Sequence, residues 1–259
     1  MEKTKLWKIY QSIPRPPREE LVNFLKNLPE DKKPTTITDL GCGGMYDTEY
    51  LLKLGYKVNA IDANINEKRQ KEVLNNQTPE QKNNVSIQKQ FLENLNLPKS
   101  DMLFSLYTLP FCKENKFSEM LINIVKSINP NGYFLGNFFA NKNMLSNDGE
   151  KAREFSTEQI SNLFDYLGFS YSLTVLDGEK TKMGVAPDKD HNLTYISVEA
   201  QAPEQLPSLD PKEIEKILGI CQNEENTSEI EKDFDTKSTF TDYEDKNNLI
   251  EESPSSPTP

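Results

Sequence analysis

Apolar runs of strand length alternate along this chain with longer stretches in which apolar residues recur at helical spacing. The first two predicted strands begin at Ile37 and Val58, with a helix between them, and the second ends in an acidic residue. Further strands are predicted at 83–89, 101–106 and 133–139, and helices at 66–74 and 117–128. Strands that alternate with helices in this way favour a parallel sheet with helices on both faces.

The pattern changes near the end of the apolar part of the chain. A helix is predicted from Ser156, where Gln159 completes a capping box, to Gly168. Two strands then follow, at 169–176 and 193–200, without a helix between them. A closing pair of strands predicts one antiparallel strand inserted at the end of the sheet. The expected fold class is therefore α/β, a doubly wound, mostly parallel seven-stranded sheet with a C-terminal antiparallel strand.

A glycine turn joins the first strand to its helix. Gly41, Gly43 and Gly44 lack a Cβ atom, so the backbone can adopt positive φ and approach a ligand closely. The following helix is expected to start near 47–48 and to end at Gly55. Asp62 lies twenty-one positions after Gly41, the distance at which an acid closing the second strand binds the ribose hydroxyls of a nucleotide-like cofactor.

The turn does not fit a dinucleotide. That fingerprint needs a small residue three positions after the second glycine, where the helix packs on the strand, and this chain has Tyr46 there. Asp39, just before the turn, favours a different nucleotide-like cofactor.

Charge is concentrated at one end of the chain. The net charge is −11, and residues 222–259 contribute −8 of it, from eleven acidic and three basic side chains. The remaining 221 residues carry −3, so no nucleic-acid partner is expected. The acidic segment is poor in aliphatic residues and ends in Ser and Pro, a composition that predicts disorder. The predicted division is a covering segment (1–34), a main domain (35–202), a short helical extension (203–221) and the tail (222–259).

Cysteine usage and hydropathy indicate the compartment. Three cysteines, Cys42, Cys112 and Cys221, show no metal-ligand spacing, so no metal is expected and the thiols are predicted to be reduced. No apolar run approaches the roughly 20 residues that a spanning helix needs, and residues 1–10 lack a signal-peptide core. We expect a cytoplasmic protein without a membrane partner, whose oligomeric state the sequence does not indicate.

Five segments, in order and at the right spacing, resemble class I S-adenosylmethionine-dependent methyltransferases. The resemblance is to the small, mostly bacterial enzymes of the tellurite-resistance and thiopurine-methyltransferase neighbourhood, and it covers roughly residues 5–202. The segments are Asp39-Leu40-Gly41-Cys42-Gly43-Gly44 with Asp47-Thr48, Ile61-Asp62-Ala63-Asn64, 91–98, 101–112 and 129–134. The resemblance implies a Rossmann-like methyltransferase fold, S-adenosyl-L-methionine as the cofactor and a small-molecule methyl acceptor.

The resemblance also implies where the cofactor binds. Its methionine end would lie at the glycine turn, its ribose at Asp62 and its adenine beside the segment after the third strand. Cys42 is expected to pack within the turn rather than to react, and Glu93 is a candidate acceptor for the adenine amino group. The cofactor-binding candidates are Asp39, Gly41, Cys42, Gly43, Asp62, Ala63, Asn64, Leu92, Glu93 and Ser105.

The sequence indicates the substrate contacts less clearly than the cofactor contacts, and no catalytic residue is assigned. Displacement of a methyl group from a sulfonium by a thiolate or amine needs no obligatory base, because positioning supplies much of the rate. The candidates are Tyr10, Arg15, Tyr107 and His191, the single histidine. The segment before residue 19 has two open interpretations. In the first, the segment is a lead into a helix that covers a sheet edge. In the second, Trp7 or Tyr10 covers the pocket, and Arg15 or Arg18 binds the cofactor carboxylate.

One position departs from the family. Met45 stands where a third glycine is usual, and its side chain either folds away from the ligand or crowds the methionine end of the cofactor. The alternative function is a non-catalytic methyltransferase-fold scaffold whose tail makes the contacts. The tail itself is interpreted either as a solvated extension or as the C-terminal signal of a secreted bacterial effector.

Overall fold

The computed structural model describes residues 11, 13–140, 153–176 and 194–220. Seven strands of this part of the chain form a single sheet. They are β1 (Thr36–Leu40), β2 (Lys57–Asp62), β3 (Val85–Lys89), β4 (Ser100–Ser105), β5 (Ile128–Phe139), β6 (Ser170–Leu176) and β7 (Tyr195–Gln201).

The order of the strands is β3-β2-β1-β4-β5-β7-β6. The first five strands in the chain pair in parallel, whereas β7 is antiparallel to both of its neighbours, β5 and β6. This arrangement confirms the predicted seven-stranded, mostly parallel sheet with an antiparallel strand at the C-terminal end. The β5–β7 register places Phe139 opposite Tyr195, at the edge where the parallel strands end.

Helices cover both faces of the sheet. They are α1 (Glu19–Asn27), α2 (Tyr46–Lys53), α3 (Glu67–Asn75), α4 (Pro79–Asn83), α5 (Phe117–Ser127), α6 (Thr157–Tyr166) and α7 (Pro211–Leu218). Side chains from α1, α2 and α3 pack with Met102 and Phe104 of β4 on one face. Side chains from α5, α6 and α7 pack with Leu103 on the other. Successive strand residues point to opposite faces, so the side chains of one short apolar strand pack against the helices on both faces.

The helix after the glycine turn starts earlier than predicted. It begins at Tyr46, and Met45 precedes it in the left-handed conformation (φ 58°). Asp47 and Thr48 therefore lie inside its first turn and do not cap it, because their side chains bond to groups from other parts of the chain. The predicted stop is confirmed: the helix ends at Lys53, and Gly55 has a φ of 89°.

The later elements follow the sequence with small shifts. Ser156 and Gln159 form the predicted capping box at the start of α6. Asp210 caps α7 by accepting from the backbone N of Lys212 at 3.0 Å. The segment 129–132, Asn-Pro-Asn-Gly, lies inside β5 at a register irregularity. The helix α4 has no counterpart in the prediction.

Some predictions concern residues outside the described part of the chain. These are the aromatic residues Trp7 and Tyr10, His191, Cys221 and the acidic tail. The four-part division of the chain stays a prediction. Within the described ranges, no helix is both long and apolar enough to cross a membrane. The same ranges hold no cluster of three or more His, Cys, Asp or Glu that could hold a metal ion.

Candidate functional site

The glycine turn lies at the carboxyl edge of the sheet, between the ends of β1 and β2. Gly41 and Gly43 have φ values of 88° and 48°, in the left-handed region that favours glycine. The backbone N–H groups of Gly41 and Cys42 both donate to the carbonyl oxygen of Ile61, at 2.7 and 3.1 Å. These two bonds hold the turn against the end of β2, where the acid Asp62 lies.

The side chain of Met45 does not enter the space in front of the turn. It is fully buried in the layer formed with α1 and α2, where it packs with Leu21, Leu51 and other apolar side chains. Of the two interpretations of this position, the structure supports the one in which the side chain folds away from the ligand.

Replacing Met45 with glycine is expected to lower the stability of the fold. The change relieves the left-handed backbone, worth about 1–2 kcal/mol, but leaves a cavity in the core that costs about 2–5 kcal/mol. We expect the free energy of unfolding in urea to fall by about 1–3 kcal/mol. The volume-conserving variant Met45→Leu serves as the control. A more stable glycine variant would contradict the packing role of Met45.

Asp39 is a buried carboxyl at the end of β1, with 3% of its surface exposed. Its Oδ2 accepts a hydrogen bond from the hydroxyl of Thr48 at 2.6 Å. Burial, and next the nearby carboxylate of Asp47, raise the pKa of Asp39 to about 8, while the Thr48 hydrogen bond and Arg15 oppose the shift. A cationic group placed beside Asp39 would favour its charged form.

Replacing Asp39 with asparagine is expected to change the pH dependence of stability. Because the folded pKa of about 8 lies above the ordinary 3.8, the contribution of Asp39 to stability is fully present below pH 4 and lost as pH rises towards 8. Relative to the wild type, Asp39→Asn should gain up to about 1.4 kcal/mol per pH unit across that window. Urea unfolding at pH 5, 7 and 9 measures this. If the stabilities of the two proteins changed with pH in parallel, the raised pKa of Asp39 would be contradicted.

Asp47 ties the segment before α1 to the start of α2. Its two carboxylate oxygens accept from the Arg15 guanidinium at 3.1 and 2.5 Å, and Oδ1 also accepts from the backbone N of Arg18 at 2.7 Å. Asp47 is nearly buried, so this bidentate pair is screened less than a surface ion pair. The pKa of Arg15 is raised by Asp47 against the opposing effect of burial. Arg15 therefore lies beside the glycine turn with its charge already paired.

Asp62 joins the glycine turn to the end of β2. Its Oδ2 accepts from the backbone N of Gly43 at 3.0 Å, and its Oδ1 accepts from the backbone N of Asn64 at 2.7 Å. Burial raises the pKa of Asp62, and these two hydrogen bonds oppose the shift. Each oxygen accepts one backbone donor and keeps a further lone pair, so the carboxylate can still accept from a ligand. Ala63 and Asn64 are half-buried beside it.

The remaining cofactor candidates are Ser105, Cys42, Leu92 and Glu93. Ser105 is fully buried, and its hydroxyl donates to the carbonyl oxygen of Leu40 at 3.0 Å, which braces β4 against β1. Cys42 is buried in the core, where burial raises the pKa of its thiol, in agreement with a packing role. Leu92 packs at the margin of the other core layer, and Glu93 accepts from the backbone N of Lys113 at 3.4 Å.

Tyr107 follows β4 in the left-handed conformation, with a φ of 60°. Its backbone N donates to the Oδ1 of the buried Asn137 at 2.6 Å, and its hydroxyl donates to Glu20 at 2.9 Å. Its ring meets the ring of Tyr195 edge-on, with 4.8 Å between centroids, and the Arg18 guanidinium lies 4.5 Å above it. Burial, and next Glu20, raise the pKa of Tyr107, which stays protonated at neutral pH.

Three residues of this edge escape the sequence analysis. Gln11 is buried over the glycine turn, and its side-chain amide donates to the carbonyl oxygen of Asn64. No sequence signal singles it out. Asn137 could have been found, because it is a lone amide in the apolar run of β5. Phe91 is 55% exposed just after β3, and an exposed aromatic residue at a strand end is a recognisable signal.

Comparisons with known proteins find similarity to methyltransferases. Residues 22–145 match the family profile described as tellurite resistance protein TehB. TehB from Haemophilus influenzae shares the fold with a TM-score of 0.53 and 19% identity, over 72% of this chain and 62% of that one. A search of curated protein sequences finds no match.

Two further solved structures have bound ligands. The 1,6-didemethyltoxoflavin-N1-methyltransferase of Burkholderia thailandensis, with 1,6-didemethyltoxoflavin and S-adenosylhomocysteine, gives a TM-score of 0.52 at 17% identity, over 66% of this chain and 72% of that one. The glycopeptide N-methyltransferase MtfA with S-adenosylhomocysteine gives 0.50 at 12% identity, over 71% and 89%. The resemblance to small-molecule class I methyltransferases and the Rossmann-like methyltransferase fold are thus confirmed.

Proposed function

We propose that this chain, which shares the class I methyltransferase fold and matches the TehB family profile, transfers a methyl group from S-adenosyl-L-methionine to a small-molecule acceptor. The observation that carries the proposal is the link between the glycine turn and Asp62. A turn with three glycines lies directly against a carboxylate that retains accepting capacity. This pairing suits a ligand with a close-fitting chain at one end and two vicinal hydroxyls in the middle.

The residues at this edge fit that cofactor by their chemistry. Gly41 and Gly43 give the turn its left-handed backbone, beside which the methionine end would lie, and Asp39 would offer a buried carboxyl to its ammonium group. Asp62 would accept from the ribose hydroxyls, with Ala63 and Asn64 beside it. Leu92 and Glu93 follow the neighbouring strand β3 and would lie next to the adenine.

The bound cofactor supplies a methyl group on a sulfonium, which is reactive without a metal or a covalent enzyme intermediate. The chain's own contribution is to hold two reactants in line and at near-attack distance. Tyr107 lies just past β4 with its hydroxyl held by Glu20, and we assign it a contact with the acceptor. No side chain is assigned as a base, and thiol, amine and similar soft nucleophiles suit such a site.

The scaffold alternative has less support in the structure than in the sequence. It drew on Met45, and that side chain packs in the core instead of in front of the turn. Its other basis, the acidic tail, lies outside the described residues. The enzyme is therefore the better supported function.

The test is a calorimetric titration of the full chain with S-adenosylmethionine and S-adenosylhomocysteine, with a nicotinamide dinucleotide as the control ligand. We expect both sulfur ligands to bind with Kd values on the order of micromolar, near −8 kcal/mol. The dinucleotide is expected not to bind, because Tyr46 occupies the position that its fingerprint keeps small. Failure of both sulfur ligands to bind would overturn the proposed function and favour the scaffold.

A further inference from the structure

Arg18 is the one arginine of the chain whose charge the described residues leave unpaired. The chain has four arginines, and the other three form ion pairs: Arg15 with Asp47, Arg69 with Glu49, and Arg153 with Glu114. No described carboxylate or carbonyl oxygen bonds to the Arg18 guanidinium, whose recorded neighbour is the Tyr107 ring. The Arg18 side chain is half-buried, so part of its surface remains accessible.

Burying an unpaired guanidinium costs free energy, because the charge loses water, unless a ligand forms hydrogen bonds with it. It carries five N–H donors in a planar fork that matches carboxylates and other oxyanions. Burial, and next the neighbouring charge of Arg15, lower the pKa of Arg18, although a guanidinium stays charged at neutral pH. The charged and titratable groups that act on it are Arg15, Asp47, Tyr107 and Glu20. Glu20 does not form an ion pair with it and instead accepts the hydroxyl of Tyr107.

The position of Arg18 differs from that of Arg15. Arg15 interacts electrostatically with Asp39, the carboxyl at the end of β1, and lies over the ring of Tyr46 at the start of α2. Arg18 lies over Tyr107, and its charge also acts on Tyr195. The two arginines therefore lie at different ends of the same sheet edge. Arg15 lies at the cofactor end, beside Asp39 and Tyr46, and Arg18 lies at the aromatic end, beside Tyr107 and Tyr195.

The aromatic end is built from the residues that close β4, β5 and the start of β7. The rings of Tyr107 and Phe139 both pack against Tyr195, with centroids 4.8 and 5.2 Å away, and Phe111 packs against Phe139. Phe139 and Tyr195 are fully buried and support Tyr107 beneath the Arg18 guanidinium, whereas Phe111 is only partly buried. Such a combination recognises a small molecule that has an apolar body and an anionic group.

We propose that Arg18 binds an anionic group, a carboxylate or similar oxyanion, of the methyl acceptor, whose apolar body lies against Tyr107, the ring beneath Arg18. This inference rests on the proposed function, since it assigns the substrate class of the same site. Arg18 thereby determines specificity for an anionic acceptor. The same chemistry would also suit the carboxylate of the cofactor, and the experiment separates the two sources.

The experiment titrates matched pairs of probes into the full chain saturated with S-adenosylhomocysteine. The pairs are benzoate with benzamide, and propionate with propionamide, which differ in charge but hardly in size. The variants are Arg18→Gln, Arg18→Lys and, as the matched control, Lys26→Gln, which removes an exposed charge from α1, the helix that Arg18 precedes. Thermal unfolding of each variant confirms that it is folded.

We expect the wild type to bind benzoate about tenfold or more tightly than benzamide, the effect of one charge-assisted hydrogen bond. Arg18→Gln should abolish that preference and leave the affinity for S-adenosylhomocysteine within about twofold, while Arg18→Lys should keep part of it. Lys26→Gln should behave as the wild type.

Two results would overturn the inference. One is a wild type that binds neither carboxylate better than its amide. The other is an Arg18→Gln variant that loses affinity for S-adenosylhomocysteine, which would assign Arg18 to the cofactor carboxylate. Either result leaves the proposed function standing, provided that S-adenosylhomocysteine binds the wild type. No binding of S-adenosylhomocysteine to the wild type would refute the proposed function itself.

Discussion

Gly41→Ala is expected to destabilise the fold strongly and to abolish cofactor binding. At its φ of 88°, an L-residue is strained, which costs about 1–2 kcal/mol. An added Cβ would also lie 2.0 Å from the Oγ1 and 2.7 Å from the Cβ of Thr108, so rotation of that side chain cannot remove the overlap. Overpacking of this kind costs about 1–3 kcal/mol, and we expect a total loss of about 2–5 kcal/mol in urea unfolding.

Gly55→Ala is the matched control for this change. Gly55 has nearly the same φ, 89°, but no heavy atom lies within 4 Å of an added Cβ. It should therefore lose only the backbone part, about 1–2 kcal/mol, and bind S-adenosylhomocysteine as the wild type does. The double variant Gly41→Ala with Thr108→Ala should recover part of the stability. Equal losses at positions 41 and 55 would show that the contact with Thr108 is not limiting.

Asp62→Ala is expected to reduce cofactor affinity by about a hundredfold or more, the loss of about 3 kcal/mol of hydrogen bonding to a charged group. The variant removes both the acceptor for the ribose and the acceptor that holds the backbone N–H of Gly43 in place. Stability should fall less, by about 1–2 kcal/mol, because the fold no longer has to bury the charge whose pKa burial raises. Calorimetry with S-adenosylhomocysteine and urea unfolding measure the two effects separately.

Asp101 offers a matched control for Asp62. Its Oδ2 also accepts from two backbone N–H groups, those of Thr35 and Thr36 at 2.9 and 3.0 Å, but at the opposite edge of the sheet. Asp101→Ala should therefore lose stability and keep its affinity for S-adenosylhomocysteine. If both variants lose affinity equally, the effect comes from general destabilisation and Asp62 is not a cofactor ligand.

The sheet could be predicted because its signals are local. Parallel strands that are buried on both faces need short, nearly continuous apolar runs, such as the one in β4. The helices between them show apolar residues on one face, as in α5. The closing strand pair without a helix between its members indicated the antiparallel β7. Chain connectivity then leaves few arrangements of these elements.

The site could be predicted only where its residues are close in sequence. The glycine turn and Asp62 belong to one unit of strand, helix and strand, whose geometry fixes their distance. The contact of Arg15 with Asp47 spans 32 positions, and that of Tyr107 with Glu20 spans 87. Such pairs depend on how the layers pack, which no local pattern reports. The left-handed Met45 was missed for a related reason: core packing there outweighs the usual preference for glycine.

The place of β7 in the sheet has a consequence for how the protein is made. β5 ends at Phe139, but its partner on that side, β7, starts only at Tyr195. During synthesis at about 5–20 residues per second, the apolar edge of β5 waits several seconds for the strand that covers it. Unpaired edges of this kind recruit other chains. A nascent or prematurely terminated chain that ends before β7 would be a substrate for chaperones, although every residue of the glycine turn is already present in it.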